Sequence, residues 1–177
     1  MRKFKVGEIS LEKGFGMDAD EVKRYIGEKF EGVVVSGYLG DSFFIYDPNG
    51  DLPAKRQIPF ATIVTGDNYD TVSALDHEDA YRLNIALTKD TFTAMFGQVP
   101  TRRDENGTLA TDYDYAARDQ LMPHPTYGAQ HWVCVVNPSD ETFDVIEPLL
   151  AEAYRFTARK HANWLARRRS LAQQQAD

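Results

Sequence analysis

Residues 122–138 gather the side chains best able to do chemistry: two of four histidines, the single cysteine, one of two tryptophans and three of eight prolines. His124 stands between Pro123 and Pro125, whose rings fix the backbone and hold the imidazole in a defined place. Imidazole titrates near neutrality, so this position offers a general base or a ligand contact. The structural alternative is a ring nitrogen satisfying a buried carbonyl in a rigid turn. Tyr127 follows three residues later and pairs with His124 as a candidate proton-transfer couple. It could equally cap a core with its hydroxyl wet.

Strand alternation sorts the neighbours. In the stretch 131–136, His131 shares a face with Val133 and Val135, at the rim of a buried layer, while Trp132 and Cys134 take the other. Cys134 sits between aliphatic residues and reads as a buried, inert thiol, with His131 facing away from it as a poor partner for a nucleophile. Upstream, Arg82 and Asn84 share one face of a strand, and Leu83, Ile85 and Leu87 the other. Two polar residues on one face could line a pocket for a polar or anionic molecule, or form the wet side of a half-exposed strand. The ligand-binding candidates are therefore Arg82, Asn84, His124, Tyr127 and Trp132.

Asp67, Asp70, Asp76, His77, Glu78 and Asp79 form an acidic loop, but their spacing fits neither an EF-hand nor a His-Glu-x-x-His motif. No metal site is assigned. P-loop, Gly-x-Gly-x-x-Gly, Gly-x-Ser-x-Gly and Cys-x-x-Cys motifs are absent from the sequence. Dinucleotide, nucleotide-triphosphate, serine-hydrolase and structural-zinc chemistry thus have no support, and we expect no stoichiometric transition metal, flavin or haem.

The elements that must position these residues follow from periodicity and turns. Asp18 and Glu21 form a capping box before a helix carrying Val22, Tyr25, Ile26 and Phe30. Strands are expected at 33–39 and 42–46, joined by Gly40-Asp41, then at 60–65, 81–87 and 131–136. Thr88 caps a short helix that Gly97 stops, and a further short helix is expected at about 114–121. Ser139 caps the last helix, with Pro148 as a kink or a break before it. The fold class is α+β: five mostly antiparallel strands, an N-terminal helix and a long C-terminal helix, with one face of the sheet covered.

At 177 residues the chain has the size of one domain and can bury a core without staples. We read 1–16 as an extension, 17–165 as the domain and 166–177 as a basic, polar tail. The net charge is −7, and residues 155–169 hold six basic and no acidic side chains, which leaves −13 on the rest. An acidic body with a basic helix end is not an extended nucleic-acid surface, so neither nucleic acid nor membrane is an expected partner. The first residues lack the apolar core of a secretory signal, and no apolar run nears the ~18 residues of a membrane span. With one cysteine, a cytoplasmic protein is expected.

Pro59-Phe60-Ala61-Thr62-Ile63, Arg82-Leu83-Asn84-Ile85, Pro123-His124-Pro125-Thr126-Tyr127-Gly128 and Trp132-Val133-Cys134-Val135-Val136-Asn137-Pro138 resemble a bacterial family known as domain of unknown function 6194. The resemblance runs from about Met17 to Ala158. The order of elements is also similar to the small MmcQ/YjbR-like α+β fold. Both resemblances imply a fold and candidate residues and no activity. Two functions of different class are carried forward. One is a non-catalytic binding or interaction domain, with a homodimer as a candidate assembly. The other is a small-molecule enzyme using His124 and Tyr127, with Arg82 and Asn84 orienting the substrate. Convergence of these four side chains in one concave pocket would favour a ligand site.

Overall fold

The computed structural model describes residues 16–99 and 101–174. Helix α1, Ala19–Lys29, starts on the expected reciprocal cap: Glu21 N–H donates to Asp18 Oδ1 at 2.8 Å, and Asp18 N–H to Glu21 Oε2 at 2.9 Å. Strands β1 (Val33–Tyr38), β2 (Asp41–Tyr46), β3 (Ala61–Val64) and β4 (Arg82–Ala86) follow. Helix α2 is Lys89–Phe96, β5 is Met122–Pro123, β6 is Trp132–Val136 and α3 is Asp140–Gln174. The sheet runs β1-β2-β3-β4-β6-β5, and every strand pair is antiparallel.

The sheet has six strands rather than five. β5 is two residues long, too short to show a period, and it contains Pro123. As an edge strand it does not need the N–H that proline lacks. The expected helix at 114–121 is a turn: Ala116 N–H donates to Asp114 Oδ1, and Asp119 N–H reaches Val136 O at 2.7 Å, laying the chain along β6. The hairpin turn is Leu39-Gly40, with φ of 52° and 89°, one residue earlier than expected. Asp41 is drawn into the sheet, where its carboxylate accepts Thr65 N–H at 2.7 Å, and that anchor sets the register. His131 precedes β6 in a left-handed conformation, φ 68°.

Helices α1, α2 and α3 pack on one face, around Val22, Ile26, Phe44, Phe60, Leu83, Ile85, Phe92, Val135, Ile146 and Leu150. Helix α3 is continuous through Pro148, which is exposed, so the carbonyl it leaves without a donor lies on the solvent side. The helix runs on to Gln174, past the domain boundary expected at 165, but from Ala166 onward each described residue is exposed. Its docked part ends near Trp164, whose ring is faced by Arg56 at 4.7 Å and Arg168 at 4.9 Å. Of the segment read as an extension, residues 1–15 lie outside the described residues.

The second face of the sheet is not the wet surface expected. Loops 66–80 and 101–128 fold over its β4-β6-β5 half, so β4 is buried on both sides. The β1-β2 end stays open, with Val34 and Tyr38 exposed.

Candidate functional site

Alternation along β4 sends Leu83 and Ile85 to the helix face and Arg82 and Asn84 to the loop face. Thr62 on β3 lies opposite Asn84, and Phe43 on β2 lies opposite Thr62. From the other edge, His124 arrives directly after β5. These residues meet in one cavity of about 440 Å³, completed by Pro59, Val64, Tyr69, Asp70, Thr126, Tyr127 and Trp132. All five sequence-derived candidates, Arg82, Asn84, His124, Tyr127 and Trp132, line it.

The His124 loop is built tightly. Its N–H donates to Trp132 O at 2.8 Å and its C=O accepts Gly128 N–H at 2.9 Å. Gly128 opens a single 3₁₀ turn, Gly128–Gln130, and a Cβ there would lie 2.8 Å from Leu109 and 3.2 Å from Pro123. A side chain there would have to push the Leu109 side chain aside. His124 Nδ1 accepts the N–H groups of Thr126 at 3.0 Å and Tyr127 at 3.1 Å. The proton therefore sits on Nε2, which makes no hydrogen bond among the described residues. His124 is only 3% exposed. Burial, and then the Arg82 charge, push its pKa down to about 3. At neutral pH the ring is an uncharged donor and a poor base.

Arg82 is 2% exposed and is held by a bidentate pair with Asp70, at 3.1 and 2.9 Å, plus Ser73 Oγ at 2.7 Å. Burial alone would raise the Asp70 carboxyl, but the Arg82 hydrogen bonds and charge outweigh it and hold the pKa below the usual range. The pair neutralises the floor of the cavity. Arg82 Nε nevertheless has no partner among the described residues. Asn84, 2% exposed, donates from Nδ2 to Thr62 Oγ1 at 2.9 Å and leaves Oδ1 unpartnered. Two buried polar atoms on cavity-lining residues are thus unsatisfied, and each costs about 1–3 kcal/mol unless something fills the space.

The mouth is aromatic and wet: Tyr69 and Tyr127 are more than half exposed, and Phe43 and Trp132 lie behind them. The Tyr127 ring stands 5.1 Å from the His124 ring and 6.5 Å from Trp132. His124 takes the Tyr127 backbone N–H, not its hydroxyl, so the expected proton-transfer couple is not hydrogen-bonded. Cys134 is buried beneath the floor with its Sγ toward Pro123 O, and burial raises its thiol to about 12. Among the described residues, no three His, Cys, Asp or Glu side chains gather as a metal-binding group, and no helix is long and apolar enough to cross a membrane.

Asp70, Ser73, Thr62, Tyr69 and Phe43 were not singled out from the sequence as site residues. A signal existed for two of them. A buried arginine demands a carboxylate, and the acidic loop supplies Asp70. Alternation along 60–65 places Thr62 beside the Asn84 face.

Fold and site together define an α+β protein with a closed core on one face of its sheet and a polar-floored cavity on the other. The chain belongs to the DUF6194 family, a family of unknown function, whose model matches residues 17–169. No curated protein and no solved structure matches the chain.

Proposed function

We propose that this protein binds a small, uncharged, flat organic molecule and does so without catalysing its conversion. The observation that carries the reading is the pair of unpartnered polar atoms, Arg82 Nε and Asn84 Oδ1, on the nearly fully buried floor of the cavity. Charge supports an uncharged ligand, because Asp70 cancels Arg82 and His124 is neutral. Shape supports a flat one, because Tyr69, Tyr127, Trp132 and Phe43 offer aromatic surface at the mouth. The enzymatic alternative has the convergence of Arg82, Asn84, His124 and Tyr127 in its favour. Against it, His124 is too acidic to act as a base near pH 7 and the Cys134 thiol is buried and protonated. A cytoplasmic, bacterial setting and a homodimer belong to the proposal, as does the likeness to the MmcQ/YjbR-like fold, which rests on the order of elements.

A thermal-shift screen of neutral flat fragments against aliphatic and anionic ones tests the reading. Neutral flat compounds raise the melting temperature of the wild type, and the shift disappears in Trp132→Ala. Stabilisation by anions alone, or a shift that survives in Trp132→Ala, would sink it.

A further inference from the structure

The polar floor specifies more than a neutral ligand. We infer that the cavity recognises a head group in which a carbonyl oxygen and an N–H are adjacent: a carboxamide, lactam or ureide. This rests on the reading of the cavity as a site for flat uncharged molecules.

The free atoms of the floor form a pattern of two donors and one acceptor. Asp70 and Ser73 take hydrogens of Arg82 Nη1 and Nη2, and Nε–H has no partner among the described residues. His124 carries its proton on Nε2, because Nδ1 accepts two backbone N–H groups, and Nε2–H donates to none of the described residues. Asn84 Oδ1 is free because the amide spends its N–H on Thr62. A carbonyl oxygen has two lone pairs and can accept from both donors at once. An N–H on the same carbon then faces Asn84, which follows Arg82 by two residues on the same side of β4, roughly 6.6 Å along the strand. A carboxylate has no N–H to give Asn84, and its charge meets a floor already neutralised by Asp70. A ketone leaves Asn84 Oδ1 unpaired in a buried place, which a site of this kind penalises strongly. Rotating the Asn84 amide by half a turn would let Thr62 donate and would turn an N–H into the cavity. Three donors would then prefer a carboxylate or a ketone, so ligand choice reads the amide's orientation directly.

The test titrates ¹⁵N-labelled protein with benzamide, acetophenone, benzoate and toluene and follows the two tryptophan indole N–H signals. Trp132 lines the cavity and Trp164 lies on α3 under Arg56 and Arg168, so each signal serves as control for the other. Benzamide is expected to move the Trp132 signal alone, with affinity about tenfold or more above acetophenone and benzoate weaker still. In Asn84→Leu, the preference for benzamide over acetophenone should vanish, while an unshifted Trp164 signal and a cooperative thermal unfolding transition show that the variant is folded. Equal binding of benzamide and acetophenone, or preference for benzoate, would overturn the head-group inference and leave the binding reading standing. If none of the four moves Trp132, the cavity is not a site for flat neutral molecules and both ideas fail.

Discussion

The two faces of the sheet are made by the same strands and obey different rules. On the helix side, Leu83 and Ile85 meet Phe44, Phe60, Phe92 and Ile146 with almost no exposed surface, and rings such as Phe30 and Phe60 pack edge to face at 6.1 Å. On the loop side, Arg82 and Asn84 of the same strand meet His124, Asp70 and Thr62, and the packing leaves a cavity and unsatisfied polar atoms. The first face follows the rule that interiors are close-packed. The second breaks it locally, in the one region where five aromatic or polar candidates converge. Within β4 the departure is one-sided: Leu83 and Ile85 pack without exposed surface, while Arg82 Nε and Asn84 Oδ1 lack partners among the described residues.

The contrast can be broken by substitution. Phe44→Ala on the closed face should lower unfolding free energy by about 3–5 kcal/mol in chemical denaturation and leave fragment binding of the surviving folded protein intact. Acid should act on the other face. The folded pKa of His124, about 3, lies below its ordinary 6.5, so the folded state holds fewer protons than the unfolded chain between those values. The stabilisation is complete above pH 6.5 and is lost as pH falls toward 3, with Asp70, also depressed, adding to the loss below its ordinary 3.8. Denaturation at pH 6.5 and pH 4 should differ by about 3 kcal/mol. His124→Asn, which can accept the same backbone N–H groups, should flatten that slope; an unchanged slope would assign it elsewhere.

Asp70→Asn leaves the Arg82 cation buried without its counter-charge and should reduce stability by about 3 kcal/mol. It should also shift ligand preference toward anions in the thermal-shift screen. At the small end, Tyr127→Ala removes a ring that is 54% exposed. Stability should stay within about 0.5 kcal/mol of wild type while affinity for flat fragments drops. A large loss of stability there would mean that the mouth is part of the core after all.

Much of this contrast was legible in the sequence. Alternation along 81–87 separated Leu83 and Ile85 from Arg82 and Asn84, and the prolines around His124 announced a rigid turn. What alternation could not supply was the cover over the second face. Loops 66–80 and 101–128 have no period, and their docking depends on contacts far apart in the chain, such as Arg82 with Asp70 and Leu109 with Gly128. The same limit hid β5, whose two residues are a strand through their pairing with β6, ten residues further on. The hairpin register was missed because a distant anchor, Asp41 on Thr65, overrode the local preference for Gly-Asp in the turn.

A crystal structure of the protein soaked with benzamide tests the central claim most directly. The account predicts density in the loop-face cavity, with the ring against Tyr127 and Trp132, the oxygen within hydrogen-bond distance of His124 Nε2 and Arg82 Nε, and the nitrogen on Asn84 Oδ1. Density only in the open cleft beside Phe96, Asp112 and Asp114 would contradict it, as would a cavity closed by Trp132.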